Sequence, residues 1–163
     1  MIHLYKYARM KPLVRTLAAC LASALPRDRQ FDMVVPMPLH WRRQWQRGFN
    51  QAELLARATA RRSGIPMVNA VRRMRFTATQ AGLSNAKRRA NVAGAFRVKR
   101  PRQIHGRRIL LIDDVMTTGS TGSACALALN RAGAKSVTLL TLARVDRRFV
   151  DPANETSKSS EVS

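Results

Sequence analysis

The sequence predicts an α/β fold in which a parallel sheet is flanked by helices. Residues 108–114 form a continuous apolar run that ends in two aspartates, which is typical of a strand buried on both faces of such a sheet. A helical pattern follows it, and then a β-branched apolar segment at residues 136–142. Strand, helix and strand in this order make a right-handed βαβ unit. With 163 residues, of which 45% are hydrophobic, the chain has the size and the core of one domain.

The N-terminal part is predicted to form a helix and then a strand. Apolar residues recur at three- and four-residue spacing within residues 8–25, the pattern of an amphipathic helix that ends before Pro26. A short apolar run at residues 31–35 is closed by Pro36 and Pro38, which indicates a strand that leads into a constrained, basic loop.

A second helix is predicted to begin at Asn50. Asn50 and Glu53 make a capping-box-like start, and Gly64 followed by Pro66 stops the helix. Beyond it we expect short strands at residues 67–71 and 95–98, a short helix after Ser84, and a turn at His105 and Gly106.

The C-terminal part continues the βαβ unit and then loses its apolar pattern. A helix of small residues around Cys125 is predicted to end at Gly133. We expect one domain over residues 1–148 and a disordered tail over residues 149–163, which has little to bury. No apolar run approaches the ~20 residues of a membrane span and no signal-peptide core is present, so we expect a cytoplasmic protein without membrane insertion.

The charge balance points to anionic partners. Thirty Lys and Arg residues against nine Asp and Glu give a net charge of +21 at pH 7. Residues 72–108 carry 12 basic and no acidic side chains, which is more than half of this excess. Arginine dominates, and its planar guanidinium suits phosphate oxygens, although a GC-rich genome would favour arginine equally. The clustering is therefore better support for phosphate binding than the number of arginines.

The cysteines and histidines show no metal-binding spacing. Cys20 and Cys125 lie far apart inside helical patterns, so a C-x-x-C site is excluded and both are expected to pack in the core. The histidines His3, His40 and His105 are equally scattered, and we interpret His40 as a loop residue.

The string LLIDDVMTTGST, residues 110–121, combines groups that suit a sugar phosphate. Asp113 and Asp114, at the end of a predicted strand, can accept hydrogen bonds from two vicinal ribose hydroxyls or help to position a hydrated Mg²⁺. A helix start follows, where backbone N–H groups and hydroxyls favour a phosphate. The residues of this expected phosphate site are Thr117, Thr118, Gly119, Ser120 and Thr121. An acidic strand end next to an ordinary helix cap is the alternative explanation.

Other phosphate-binding motifs fit less well. No G-x-x-x-x-G-K-[ST] string occurs, so a P-loop kinase or ATPase is set aside. No G-x-G-x-x-G string follows a predicted strand, which sets aside a dinucleotide-binding unit. Diol acceptors next to a phosphate cradle predict a ribose 5-phosphate site.

This string closely resembles the phosphoribosyl pyrophosphate signature of type I phosphoribosyltransferases. Together with PMPLHWRRQWQRGFNQAELLA and RFTATQAGLSNAKRRANVAGAF, it makes residues 5–144 similar to the ComF-type competence proteins, also called amidophosphoribosyltransferase-like. The resemblance implies a type I phosphoribosyltransferase-like parallel sheet flanked by helices, in a single domain. It also implies that phosphoribosyl pyrophosphate, or a nucleotide, binds together with Mg²⁺.

The resemblance assigns roles to individual residues. It implies that Asp113 and Asp114, the expected catalytic carboxylates, hold the ribose hydroxyls, while residues 117–121 hold the 5-phosphate. Mg²⁺ would arrive with the substrate and be positioned by the two aspartates, and no side chain is assigned as its direct ligand. The loop at residues 36–51 would bind pyrophosphate through Arg47, with Arg42 and Arg43 as further candidates. A mobile flap would contribute Arg75, Gln80 and Arg89.

Two functions remain open from the sequence. One is Mg²⁺-dependent transfer of a phosphoribosyl group to an unknown nucleophile. The other is a non-catalytic phosphoribosyltransferase-fold protein that binds single-stranded DNA during natural transformation, working with the DNA-uptake helicase machinery. The loop tryptophans Trp41 and Trp45 would suit base stacking in the second case. Members of the family commonly carry an N-terminal zinc-binding segment with paired cysteines, which this chain lacks, so no zinc is expected, and the oligomeric state is left open.

Overall fold

The helices and strands alternate along the chain. The computed structural model describes residues 2–26, 28–40, 45, 48–74 and 94–144. The elements in these ranges are α1 (Ile2–Ser23), β1 (Met33–Pro36), α2 (Gln51–Ser63), β2 (Val71–Arg73), β3 (Phe96–Val98), α3 (Pro101–Ile104), β4 (Arg108–Met116), α4 (Ser120–Arg131) and β5 (Ser136–Arg144). None of the helices in these ranges has the length and apolar content needed to cross a membrane.

A parallel sheet organises the fold. Its strand order is β1-β4-β5, with Val35 opposite Leu111 and Leu111 opposite Leu139. The predicted fold class, a parallel sheet flanked by helices in one domain, is confirmed. β4, α4 and β5 form the predicted βαβ unit, in which two parallel strands pair directly and the helix makes the crossover.

β4 is buried on both faces, as its continuous apolar run predicts. Ile109 and Leu111 belong to a core cluster shared with α4 and with the β2–β3 hairpin. Leu110 and Ile112 belong to the opposite cluster, which α1 and α2 cover. All four side chains are fully buried, since successive residues of a strand point to opposite faces.

The second sheet is a small antiparallel hairpin of β2 and β3. Val71 pairs with Val98, and Arg73 pairs with Phe96. The expected strand at residues 95–98 is confirmed, whereas the continuous strand expected at residues 67–71 is wrong. Met67 makes a single parallel bridge to Val34, and the chain then leaves the large sheet before it pairs with β3.

The local signals for α2 are confirmed by its geometry. The Asn50 side chain accepts a hydrogen bond from the Ala52 N–H at 3.1 Å, which caps the helix start. Gly64 ends the helix at φ 72°, a left-handed conformation that glycine adopts without a Cβ clash. The turn expected at Gly106 also has a positive φ, of 72°.

Other predictions need correction or fall outside the described residues. Cys125 is buried as expected, but Cys20 is exposed because the buried stripe of α1 runs through Ala18 and Leu21 instead. The short helix α3, which begins with Pro101, was not expected. The helix expected after Ser84 and the tail at residues 149–163 lie outside the described residues.

Arg108 and Asp32 join the amino ends of β4 and β1. The Arg108 Nη2 and Nε atoms donate to the two Asp32 carboxylate oxygens at 2.8 and 3.1 Å. The Arg108 backbone N–H donates to Asp32 Oδ2 at 2.7 Å, and the Asp32 N–H donates to the Arg108 carbonyl at 2.8 Å. These bonds to Arg108 hold the pKa of the Asp32 carboxyl well below its usual range. The bidentate geometry fixes the register of β1 against β4.

We predict that Asp32→Asn lowers the melting temperature at pH 7 by several degrees. A carboxylate whose pKa is lower in the folded protein than in the unfolded chain stabilises the fold at pH values above the unfolded pKa of 3.8. This contribution is lost as the pH falls from 3.8 through the lower folded-state pKa. The difference in melting temperature between wild type and variant should therefore narrow between pH 5 and pH 2, as measured by circular dichroism. Asp28→Asn is the control, since Asp28 is exposed and only approaches Arg29 at 3.9 Å. A difference that does not change with pH would contradict this role.

Candidate functional site

A cleft of about 390 Å³ lies beyond the carboxyl ends of β1 and β4. Five parts of the chain line it: the segment after β1, the start of α2, the end of β2, the stretch from the end of β4 to the first turn of α4, and Leu139 of β5. Ligands of open parallel sheets bind at this edge, because the loops that follow neighbouring strands converge there. The lining residues discussed below are Asn50, Gln51, Arg73, Asp113, Asp114, Thr117, Gly119 and Thr121.

The two aspartates are held side by side at the end of β4. The Asp114 N–H donates to Asp113 Oδ1 at 3.0 Å, and the Val115 N–H donates to Asp114 Oδ1 at 2.8 Å. One oxygen of each carboxylate therefore accepts a backbone N–H, which holds both side chains at the end of β4. Asp113 still pairs with Thr141 of β5, so β4 extends through the aspartates to Met116 rather than ending at residue 114 as expected.

Asp113 lies in an environment that disfavours its negative charge. Burial and the neighbouring Asp114 carboxylate raise the pKa of Asp113 from 3.8 to about 7, while the positive charge of Arg73 acts in the opposite direction. The alternation along β4 places Asp113 on the same face as Leu111, towards α4. Burial also raises the pKa of the nearby Cys125 thiol, to about 12. That thiol is therefore a neutral core group at physiological pH.

The start of α4 lines the cleft next to the end of β4. Gly119 precedes the helix at φ 74°, and a side chain there would be strained by that conformation. The first N–H groups of an α-helix have no partners within the helix and attract anions. Thr117, Gly119 and Thr121 line the cleft, whereas the hydroxyls of Thr118 and Ser120 lie 2.8 Å apart and bond to each other.

α4 lies very close to β5 at Gly122. A Cβ added at Gly122 would lie 2.5 Å from the Leu139 Cδ2 atom, which is shorter than any ordinary contact. Both residues line the cleft. Glycine at this position therefore lets the first turn of α4 approach the sheet, which brings the helix start to the carboxylates.

Asn50 ties the segment after β1 to α2. Its Nδ2 atom donates to the Met37 carbonyl at 3.0 Å, while its Oδ1 atom caps the helix. Asn50 and Gln51 line the cleft on the side that the family resemblance assigns to pyrophosphate. His40, which the sequence places in this loop, is buried.

Arg73 is a candidate binding residue that the structure adds to those predicted from the sequence. It lines the cleft from the end of β2, and its guanidinium carbon lies 5.5 Å from the centre of the Phe96 ring. The sequence shows Arg73 only as one of many clustered arginines. In the structure the alternation Val71, Arg72, Arg73 puts Arg73 on the buried side with Val71, but three residues are too few to show this period in the sequence alone.

The structure brings some predicted residues together and leaves others undescribed. Asp113, Asp114, Thr117, Gly119 and Thr121 share the cleft. Arg42, Arg43, Arg47, Arg75, Gln80, Arg89 and Trp41 lie outside the described residues. Trp45 is described and is 86% exposed. Among the described residues, no group of three or more His, Cys, Asp or Glu side chains is arranged to hold a metal ion.

Comparison with protein families and curated proteins identifies relatives of the chain. Residues 50–160 match the phosphoribosyl transferase domain family. The chain is 37% identical over 152 residues to competence protein F of Haemophilus influenzae, and the match covers 88% of this chain and 66% of that protein. It is 37% identical over 151 residues to the DNA utilization protein YhgH of Escherichia coli K12, with the same coverage of each. The chain thus spans about two thirds of the length of these relatives.

Solved structures share the fold at lower identity. Glutamine phosphoribosylpyrophosphate amidotransferase of Bacillus subtilis, in complex with ADP and GMP, superposes with a TM-score of 0.55 at 22% identity, over 79% of this chain and 26% of that one. Adenine phosphoribosyltransferase of Saccharomyces cerevisiae gives a TM-score of 0.51 at 15% identity, over 82% and 66% of the two chains. The ComF-type resemblance seen in the sequence is confirmed by the curated relatives.

We predict that Asp113→Asn stabilises the protein at pH 8. Because the folded-state pKa is raised, the folded protein binds more protons than the unfolded chain between pH 3.8 and about 7, so its stability falls as the pH rises through that range. The amide removes this penalty, so the free energy of unfolding should rise by roughly 1–4 kcal/mol at pH 8 and change little near pH 4. Urea unfolding of wild type and variant at pH 8 and near pH 4 measures this change in the free energy of unfolding. A loss of stability at pH 8 would show that the carboxylate of Asp113 is stabilising.

Proposed function

This chain belongs to the phosphoribosyl transferase domain family, and from that membership and the chemistry of the cleft we propose that it binds phosphoribosyl pyrophosphate with Mg²⁺. The 5-phosphate would lie at the start of α4, and the ribose hydroxyls at Asp113 and Asp114. The proposal includes a role in the handling of incoming DNA, which the names of the relatives suggest.

The observation that carries the proposal is the placement of paired carboxylates and a helix N-terminus in one cleft. Asp113 and Asp114 line it together with Thr117, Gly119 and Thr121. Carboxylates repel a phosphate, whereas a helix start attracts one, so a single anion does not satisfy both groups. A sugar phosphate does, because its hydroxyls donate to the carboxylates while its phosphate accepts from the helix.

The residues also fit a magnesium ion that arrives with its substrate. Mg²⁺ keeps several waters and is commonly bound by one or two carboxylates together with substrate phosphates, rather than by a cage of protein ligands. Two adjacent carboxylates, without a third acidic or histidine partner in the described residues, match that pattern. The hydrated ion would be positioned by Asp113 and Asp114 and would neutralise the diphosphate when bound.

The side chains of the cleft suit the departure of a diphosphate group from the sugar. When the bond between the anomeric carbon and the diphosphate oxygen breaks, the electron pair leaves with the diphosphate and positive charge develops on the ribose. Hydroxyls held by Asp113 and Asp114 orient the ring, and their negative charge favours the cationic sugar. An acceptor nucleophile would then bond to the anomeric carbon and lose its proton.

A second candidate function, binding of single-stranded DNA, is favoured by the outer face of the β2–β3 hairpin. Arg72 and Arg97 lie directly opposite each other in the antiparallel ladder, and both are exposed. Like charges in this arrangement repel and destabilise the pair, unless a polyanion lies across them. Three more exposed cations follow directly after β3, at Lys99, Arg100 and Arg102.

We predict that wild-type protein binds phosphoribosyl pyrophosphate in the presence of Mg²⁺ and that Asp113→Asn/Asp114→Asn weakens binding at least ~10-fold. Isothermal titration calorimetry at fixed moderate salt measures both. The direction is diagnostic: removing negative charge should by charge alone strengthen binding of an anion, so a loss reports the lost hydrogen bonds to the ribose hydroxyls or the lost positioning of the hydrated Mg²⁺. Inorganic phosphate, which has no ribose, serves as the control probe and should not bind more weakly to the variant. Equal binding of phosphoribosyl pyrophosphate by both proteins would refute the proposed placement.

For the second candidate, we predict that Arg72→Gln/Arg97→Gln weakens binding of an oligothymidine strand and lowers the slope of log K against log salt by roughly 1–2. Fluorescence anisotropy at several salt concentrations measures this slope. Arg61→Gln/Arg62→Gln removes the same charge from an exposed part of α2 and is the matched control. If both double variants lose affinity equally, binding follows net charge and the hairpin has no special role.

A further inference from the structure

The two edges of the parallel sheet are built differently. On the outer side of β1, the Val34 N–H donates to the Pro66 carbonyl at 2.9 Å, and the Val34 carbonyl accepts from the Val68 N–H at 2.9 Å. β1 is also only four residues long and ends in Pro36. A short strand, a proline and a covering segment are the usual features that keep a sheet edge from pairing with another chain.

β5 forms the opposite edge of the sheet. It is nine residues long, and among the described residues it pairs with β4 alone. Residues 137–143 contain no charged residue, proline or glycine. The backbone N–H and C=O groups along the outer edge of such a strand are a template for a further strand.

β5 carries apolar side chains on both of its faces. Val137 and Leu139 border the core cluster shared with α4. Leu140 and Leu142 border the cluster that α1 and α2 cover, and all four side chains are only partly buried. A strand that extends this sheet must therefore be apolar on both faces and must bring cover for each of them. An isolated extended peptide lacks that cover, whereas the edge strand of another helix-covered sheet has it, and β5 is such a strand.

We propose that β5 is a self-association surface at which two copies of this chain pair their β5 strands antiparallel about a two-fold axis at Leu140, the middle residue of the strand. A two-fold axis perpendicular to the sheet makes identical strands antiparallel and the contact self-complementary. The facing pairs in this register are Leu140 with itself, Leu139 with Thr141, and Thr138 with Leu142. The two three-stranded sheets become one continuous sheet.

This register accommodates the positive charge of the chain. Each copy carries +21, which opposes association, but the cations of this segment, Lys135 and Arg144, lie only at the two ends of β5. Antiparallel pairing about Leu140 places Arg144 opposite Ser136, whereas a parallel pairing in register would place Arg144 opposite itself. Like charges that face each other across a ladder destabilise it, so the antiparallel arrangement is favoured. Salt screens the remaining repulsion, and we therefore expect the dimer to become tighter as the ionic strength rises.

Self-association through β5 is independent of the proposed function. The carboxyl ends of the strands point in opposite directions in the two copies, so the two clefts lie at opposite ends of the joined sheet. Failure of sugar-phosphate binding would leave the pairing of β5 untouched, and a monomeric protein could still bind its ligand.

Cysteine cross-linking tests the register. Ser136→Cys and Arg144→Cys alter exposed residues at the two ends of β5. Both are made together with Cys20→Ala, because Cys20 is exposed, whereas Cys125 is buried. We expect neither variant alone to react with a short bis-maleimide, since eight steps along an extended strand separate its two cysteines by about 26 Å. An equimolar mixture of the two variants should form a cross-linked dimer, because residues 136 and 144 face each other.

Sedimentation equilibrium measures the strength of association. We expect the wild type to reach twice the 18.3 kDa mass of the chain as the protein concentration rises. Thr138→Lys places a cation opposite Leu142 of the second copy and should weaken the dimer at least ~10-fold, in the way that edge lysines prevent pairing. Asn130→Lys adds the same charge at an exposed position of α4 and is the matched control. Circular dichroism establishes that both variants are folded, and if Thr138→Lys is not, the cross-linking experiment decides.

The other outcomes would overturn this inference. Wild-type protein that stays monomeric at every concentration and salt would mean that another protein, or another segment of this chain, covers β5. Efficient cross-linking of Ser136→Cys alone or Arg144→Cys alone would show that the strands do not pair antiparallel about Leu140. A dimer that does not cross-link in the mixture would be held by another surface. Equal weakening by Thr138→Lys and Asn130→Lys would show that association depends on net charge rather than on β5.

Discussion

β4 pairs with β1 on one side and with β5 on the other, and this pairing places the two aspartates and the start of α4 in the cleft. The strand is buried on both faces along Ile109–Ile112, so a shift of one residue would exchange its two core faces. The bonds between Arg108 and Asp32 hold the register at the amino ends of β4 and β1. At the carboxyl ends of the strands the same register places Asp113 and Asp114. There β5 brings Leu139 against Gly122, so α4 begins next to the two aspartates. Burial of one strand therefore determines both the stability of the sheet and the geometry of the site.

The site concentrates negative charge in a strongly positive chain. Asp113 and Asp114 are the acidic side chains of a cleft in a protein whose net charge is +21. The hydrophobic core under the end of β4 keeps water from Asp113, and this burial is the main reason why the pKa of Asp113 is raised to about 7. Such a cost is typical of functional positions, where a group is kept for what it binds rather than for stability. A ligand that brings hydroxyl donors and a cation to the pair would relieve the cost.

The sequence predicts the features that depend on local patterns. Local sequence is enough to recognise the apolar run of β4, the caps of α2 at Asn50 and Gly64, and the string at residues 110–121. The class of the sheet follows from these features. The features it missed depend on contacts between distant segments. β2 has only three residues, too few for a clear period, and Arg73 faces the cleft because β2 pairs with β3 more than twenty residues later. The bridge at Met67 and the extension of β4 to Met116 likewise come from pairing with other strands.

The most direct test of the account is the titration of ¹⁵N-labelled protein with ribose 5-phosphate, followed by the backbone amide resonances. The account predicts saturable shifts of the Gly119, Ser120 and Thr121 amides at the start of α4, together with Asp114 at the end of β4, while Arg72 and Arg97 on the outer face of the hairpin do not move. Saturable shifts confined to the hairpin, or shifts spread over all exposed basic segments, would show that the phosphate is bound by surface charge. That result would contradict a sugar-phosphate site at the carboxyl end of β4.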